Sequence, residues 1–205
     1  MLTPPAPPGE PFVLLPMERN SVPQVTEWRS TWICSGLQTL RARGLFDRYV
    51  AALAPEMRST LPLLVPGLWI PIAEARAHYD ACGTLGLSPN DVRAMGSDVG
   101  ERTQGTILRT AVAFAKGAGA DGWTMMRQAP RIWHRGARGG AVAVYTTGPK
   151  ESVVEVLGCS LFEAPYFRAS FHGVLLAIVR LVSTRAYAKE KTTAPNVFVV
   201  QLQWA

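Results

Sequence analysis

Residues 139–205 read GGAVAVYTTGPK ESVVEVLGCS LFEAPYFRAS FHGVLLAIVR LVSTRAYAKE KTTAPNVFVV QLQWA, and their pattern decides the fold. Ala141-Val-Ala-Val-Tyr145 and Ser152-Val-Val-Glu-Val-Leu157 are two runs rich in β-branched residues with Gly148 and Pro149 between them, the signature of two strands joined by a turn. From Pro165 to Ser183 the apolar residues take helical spacing. Arg185–Lys191 and Asn196–Trp204 return to a strand pattern, and in the last of these Phe198, Val200, Leu202 and Trp204 alternate onto one face. The order strand, strand, helix, strand, strand predicts an α+β fold in which N-terminal helices pack on a C-terminal β-β-α-β-β antiparallel sheet unit. The sheet keeps a second apolar flank, which the helical first two thirds of the chain are expected to fill.

Upstream, residues 1–11 carry five prolines and little that packs, so residues 1–23 read as a proline-rich arm before a single domain over 24–205, helical through 135. Phe12-Val-Leu-Leu15 is either an edge strand or a surface tether. Between Val25 and Arg43 the residues Trp28, Trp32, Ile33, Leu37 and Leu40 recur at three and four, predicting a helix that stops at Gly44. Leu45–Leu53 predicts a second helix ended by Pro55, and Ile72–Leu85 a third. The proline-broken run Leu61–Pro71 suits neither helix nor paired strand and reads as an extended connector lying on the core.

Ser88-Pro-Asn-Asp91 places a cap, a first-turn proline and a first-turn acid in the order that starts a helix. Gly96, Gly100 and Gly105 then interrupt it, each at a cost of about 1 kcal/mol relative to alanine. Such glycines signal a broken helix, a simple turn, a close helix crossing or a ligand lying on bare backbone. Thr106–Lys116 resumes as helix, and Gly122–Trp133 follows with a bend at Pro130.

Composition sets limits on function. A chain of 205 residues buries roughly 70% of its unfolded surface without disulfide or metal staples. Cys34, Cys82 and Cys159 stand apart with no Cys-x-x-Cys pair, which speaks against a disulfide framework or a zinc site and for buried thiols in a reducing compartment. The N-terminus has no signal-peptide pattern, and the longest apolar window, Gly173–Val182, contains Arg180 and is too short to span a bilayer. A cytoplasmic protein without a transmembrane segment is expected. The formal charge of +6 permits an acidic partner, and no nucleic-acid-reading module accompanies it.

Catalytic motifs are missing. Gly117-Ala-Gly-Ala-Asp-Gly122 has the glycine spacing of a dinucleotide site but follows a helix with no βαβ unit around it, so it reads as a helix stop. There is no nucleophile elbow, zinc-protease helix or phosphate loop, and His78, His134 and His172 are isolated in sequence. No catalytic residue, metal site or cofactor is assigned. Two binding surfaces are. Phe167, Phe171, Val174 and Leu175 on the Pro165 helix face Phe198 and Trp204 on the last strand, so incomplete filling between them would make an apolar ligand pocket. Arg127, Arg131 and Arg135, four apart in a stretch without carboxylates, would form one basic stripe on a continuous helix and suit an acidic protein partner. Either reading fits a non-catalytic regulatory module, as a homodimer or a partner subunit, and an enzyme without a recognisable motif is the remaining alternative.

The element order, the Tyr166-Phe167 entry into the helix with Gly173 beyond it, and the closing Trp204 resemble the superfamily of heme nitric-oxide-binding domains, transport-particle small subunits and four-vinyl-reductase-type sensor domains. Within it, Gly158, Pro165-Tyr166-Phe167 and Gly173 look most similar to a myxobacterial paralogous family of about 200 residues with no assigned function. The resemblance covers about Thr60 to Ala205 and implies a ligand- or partner-binding α+β module with its pocket between helices and sheet. It does not imply heme here. The heme branch uses Tyr-x-Ser-x-Arg for the propionates, whereas this chain has Tyr166-Phe-Arg-Ala-Ser170 with the order reversed and no histidine matching the proximal ligand.

Overall fold

A computed structural model describes residues 6–103, 121–194 and 196–205. The expected helix over Thr106–Lys116, Gly105 and most of the glycine run from Gly117 lie outside the described residues.

The C-terminal unit forms as its pattern requires. Strands β5 (Ala141–Gly148) and β6 (Glu151–Leu157) make a hairpin, helix α7 (Pro165–Val179) follows, and β7 (Ala186–Ala194) and β8 (Val197–Trp204) make a second hairpin. β8 pairs antiparallel with β6 in the register Val154 opposite Val200 and Val156 opposite Phe198. Strand β1 (Glu10–Val13) pairs with β5, so Phe12 lies in an edge strand and the sheet order is β1-β5-β6-β8-β7. α7 ends four residues before the expected Ser183, where the Ser183 hydroxyl donates to the Val179 carbonyl.

Period two divides the sheet into two faces. Val142, Val144, Val154, Val156, Phe198, Val200 and Leu202 join the main core. Ala143, Tyr145, Val153, Leu157, Val197 and Val199 form a second cluster on the other face, covered by Leu15 and Val22 from the N-terminal segment and by Ala194. The flank expected to receive the helices is therefore covered by the chain before residue 23. Glu155, fully buried on that flank, is held by Arg19 through two hydrogen bonds and accepts a third from the Tyr145 hydroxyl at 3.2 Å.

The helices pack on the inner side. α1 (Ser30–Ala42), α2 (Phe46–Ala52), α3 (Ile72–Gly83) and α4 (Pro89–Thr103) precede α5 (Gly122–Arg127) and α6 (Ala129–Gly136). The expected helix from Val25 starts only at Ser30, because residues 27–29 form strand β2 between β3 (Trp69–Pro71) and β4 (Ala137–Arg138). Trp28 thus enters the core from a strand, opposite Ile70 and Ala137. The proline-rich connector contributes β3 and a short 3-10 turn over Leu61–Leu63.

α4 runs unbroken through Gly96 and Gly100, and the reason is a close crossing with α7. A Cβ on Gly96 would lie 1.9 Å from the Ser170 carbonyl oxygen, and one on Gly173 of α7 would lie 2.0 Å from that of Arg93. The glycines remove side chains where two backbones touch.

Candidate ligand cavity

Trp28 from β2, Trp32 from α1 and Trp133 from α6 converge on the space between α7, α5, α6 and the inner face of β5 and β6. There they bound a cavity of about 60 Å³. Met125 and Met126 of α5, Ile132 of α6, Val142, Val154 and Val156 of the sheet, and Phe171, Val174, Leu175 and Ile178 of α7 supply the rest of the wall. Local chemistry explains why these elements meet. α5 starts with an Asp121 capping box whose carboxylate accepts from the Thr124 amide at 3.1 Å. It stops at Gln128, and Pro130 sits in the first turn of α6, so the chain turns and presents Ile132 and Trp133 inward. Gly136 leaves room for Trp32, since a Cβ there would lie 2.4 Å from the indole nitrogen.

The walls are aromatic and aliphatic. Trp133 donates its indole N–H to the Gly139 carbonyl at 2.9 Å, which leaves its ring as an apolar surface. Trp28 stands edge-on to Trp133 at 5.9 Å and to Phe167 at 5.5 Å. Among the described residues no Asp, Glu, Lys, Arg, His, Cys or Tyr lines the cavity. A second chamber of about 20 Å³ shares Trp28, Trp32, Phe171 and Val174 with it and adds Tyr79, Val99, Phe167 and Ser170.

Of the six residues expected to form a pocket, Phe171, Val174 and Leu175 line the cavity and Phe167 lines the second chamber. The other two are core. Phe198 is fully buried and stacked on Phe162 at 4.6 Å, and Trp204 packs edge-on to Trp123 over Gly122. The three tryptophans were missed as a site. Their signal, Trp28 and Trp32 at helical spacing and Trp133 far downstream, reads as ordinary core until β2 and β4 bring the segments together.

The basic stripe is split. Arg127 belongs to α5 and lies 5.4 Å from the Phe12 ring, whereas Arg131 and Arg135 belong to α6. All three are exposed.

Two other places were candidates for chemistry. His78 is enclosed in the core with Nδ1 2.8 Å from the Tyr49 hydroxyl and Nε2 3.8 Å from Cys82 Sγ. Burial pushes His78 down to about 3 and the Cys82 thiol far up, so neither group is poised for proton transfer or attack near neutral pH. A groove of about 510 Å³ between α3, α4 and α7 holds Asp80, Arg93, Arg168, His172 and Glu190. There Arg76 takes Asp80 at 2.8 Å, Arg168 lies 3.5 Å from Glu190, and burial, then Arg93, pushes His172 down. Asp80, Arg168 and Glu190 are thus paired, whereas Arg93 donates to Asn90 at 2.7 Å and its buried Nε has no partner among the described residues.

Comparison with known proteins places the fold. No protein-family model and no curated protein matches the chain. Solved H-NOX domains do. An oxygen-binding H-NOX domain related to soluble guanylate cyclases is similar with a TM-score of 0.52 at 14% identity, over 85% of this chain and 92% of that one. A variant of the T. tengcongensis H-NOX domain gives 0.55 at 13% identity, over 85% and 96%. A structure described as modulating heme redox potential through protein-induced porphyrin distortion gives 0.55 at 12% identity, over 86% and 99%. The chain has an α+β fold similar to that of heme nitric oxide/oxygen binding domains across most of its length. At these identities the likeness is one of fold.

Heme, named for one of those structures, does not fit the residues here. The cavity volume of about 60 Å³ is far below that of a porphyrin, and no histidine, cysteine or tyrosine faces it among the described residues. Every histidine in the chain is accounted for. His78 is sealed against Tyr49 and Cys82, His172 is hydrogen-bonded to the backbone of Ala188 in β7, and His134 is exposed on α6. An axial nitrogen ligand is thus lacking at the tryptophan-lined cavity, and the one histidine that lines the separate groove, His172, is engaged by the Ala188 backbone beside Arg93.

Proposed function

We infer that this chain is a non-catalytic, sensory-type binding module that takes a small apolar molecule of a few heavy atoms into the tryptophan-lined cavity without heme. The single observation that supports this is the wall itself, which is almost entirely carbon and sulfur surface. A dry apolar cavity attracts apolar guests because water inside it would forfeit its hydrogen bonds, and an engineered cavity of about 150 Å³ holds benzene or xenon. A space less than half that size suits a gas-sized ligand. The relatives' oxygen and heme chemistry belongs to them. What carries over is the use of this fold to enclose a small molecule between helices and sheet.

Xenon is the probe. Under xenon pressure, signals from Val154, Val174 and Ile178 in a methyl NMR spectrum should shift and saturate, and Val154→Phe, which fills the space, should abolish the shift while the protein stays folded. Shifts that never saturate, or that survive Val154→Phe, would refute the reading. A second reading rests on Arg131 and Arg135, which have no acid partner among the described residues. If they, with Arg127, meet an acidic protein, charge reversal at both abolishes that association and leaves xenon uptake intact.

A further inference from the structure

The loop from Leu61 to Ile70 is tied down at both ends and apolar on the outside. Leu61 and Ile70 are buried, yet between them Leu63 is 76% exposed, Val65 56% and Leu68 49%. The backbone between is not loose. The Ser30 hydroxyl donates to the Val65 carbonyl at 2.7 Å and accepts from the Leu68 amide at 2.9 Å. The Thr31 hydroxyl accepts from the Gly67 amide at 3.1 Å, and the Cys34 thiol donates to the Leu64 carbonyl at 3.2 Å. The first turns of α1 thus grip the loop and leave three apolar side chains in water. Neighbouring exposed apolar side chains on an ordered loop mark an interaction site.

Cations surround that prominence. The Arg29 and Arg138 guanidinium groups lie 4.8 and 4.6 Å from the Trp69 ring, and Arg41 donates to the Pro62 carbonyl at 3.2 Å. Among the described residues only Arg138 of these three has an acid partner, Glu27 at 2.6 Å. The rim is therefore net positive, in a chain of formal charge +6.

We propose that this loop docks the protein on an anionic lipid surface, with Leu63, Val65 and Leu68 entering the headgroup–acyl boundary and Arg29 and Arg41 meeting acidic headgroups. Two features favour lipid over a protein partner. The apolar side chains project outward, so they suit a deformable apolar medium, and an indole beside arginines is the arrangement that settles at a membrane interface. Apolar burial and cation attraction together supply the two signals that stable peripheral binding requires.

The test is co-sedimentation of the full chain with phosphatidylcholine vesicles, with and without phosphatidylserine. Binding is expected only with phosphatidylserine and should weaken as salt is raised. Leu63→Glu with Leu68→Glu should lower the partition at least roughly tenfold, and Arg29→Glu about fivefold or more, since one cation near such a surface contributes about that factor. Thermal melting should be unchanged in all variants, and Leu63→Ser with Leu68→Ser replaces the glutamate pair if it melts early. Binding to neither vesicle, or equal binding of wild type and the loop variants, overturns the proposal. So does a dimer in sedimentation velocity that the loop substitutions convert to monomer, since the occupant would then be a second copy of this chain.

Discussion

Replacing Gly96 by alanine should reverse the usual sign of that substitution. In a helix interior alanine is favoured over glycine by about 1 kcal/mol. Here the new Cβ would meet the Ser170 carbonyl oxygen at 1.9 Å and its carbon at 2.7 Å, whereas ordinary contact begins at 3.4 Å. Backbone atoms cannot rotate away, so α4 and α7 must part by about 1.5 Å at this point. A radial gap of roughly 0.5–1 Å already forfeits a quarter to a half of each dispersion contact. The penalty falls on buried Met95 and Val99 of α4 and on Val174 and Ala177 of α7. A net loss of about 3 kcal/mol is expected, the upper end for overpacking. That lowers Tm by roughly 6–12 °C in a chain of this size. Gly173→Ala, with its Cβ 2.0 Å from the Arg93 carbonyl oxygen, should cost as much, and the double variant less than the sum because both release one crossing. Gly83→Ala is the control, since its nearest neighbour would be Tyr166 Cβ at 3.9 Å, and it should leave stability unchanged or slightly raised. Urea unfolding followed by circular dichroism measures all four. A Gly96→Ala protein as stable as Gly83→Ala would show that the two helices do not touch through their backbones.

Arg19→Met should destabilise by about 3 kcal/mol, the low end for breaking a buried pair because Arg19 keeps 21% of its side chain in water while Glu155 keeps 1%. Adding Glu155→Met should restore most of it, and urea midpoints of the two variants decide whether the loss came from a stranded carboxylate. His78 is held neutral in the fold at about 3, against 6.5 when unfolded. The unfolded chain therefore binds the extra proton below pH 6.5, so stability is full above that value and falls by up to about 1.4 kcal/mol per unit as pH drops toward 3. The slope should shrink in His78→Gln, and equal slopes would refute the assignment. Gly100→Ala is a milder wedge, with Ala177 Cβ at 2.9 Å and Val174 Cα at 3.1 Å, and by pressing α7 toward the cavity it should weaken xenon binding severalfold without unfolding the protein.

The C-terminal unit was legible because its information is local. Alternation in β5, β6 and β8 and helical spacing in α7 each lie within one run of residues, so the order of elements and their antiparallel pairing follow from pattern and turn chemistry. The segment before Ser30 failed for the opposite reason. Trp28 and Trp32 are four apart whether residue 28 is helical or extended, and only the distant partners Ile70 and Ala137 select the strand. The glycines of α4 carried a readable signal with several meanings, and the backbone of Ser170 chose among them. The outer flank was assigned to helices since an edge strand over residues 12–15, one of the two readings of that run, does not announce that Leu15 and Val22 will cover the sheet's outer face. Even Arg19 and Glu155, 136 residues apart, are individually unremarkable surface residue types.

The same geometry accounts for the small size of the cavity. α7 has two faces. One is drawn onto α4 through Ser170, Gly173 and Ala177, and the other carries Phe171, Leu175 and Ile178 toward the sheet. α4 contributes nothing described to the main cavity, so α7 stands between the crossing and the space. Three indoles then occupy volume on the opposite side, fixed by β2, α1 and α6. Enlarging the cavity to hold a porphyrin would mean moving Trp28 and Trp133 out of a core where each is about 95% buried, at a cost of about 3–5 kcal/mol apiece in lost packing. Among the described residues the wall offers a metal only the thioethers of Met125 and Met126, with no histidine to pair with them. If the cavity takes a guest as proposed, selection by size follows: a molecule of a few heavy atoms enters with the tryptophans in place, and a larger one must displace them.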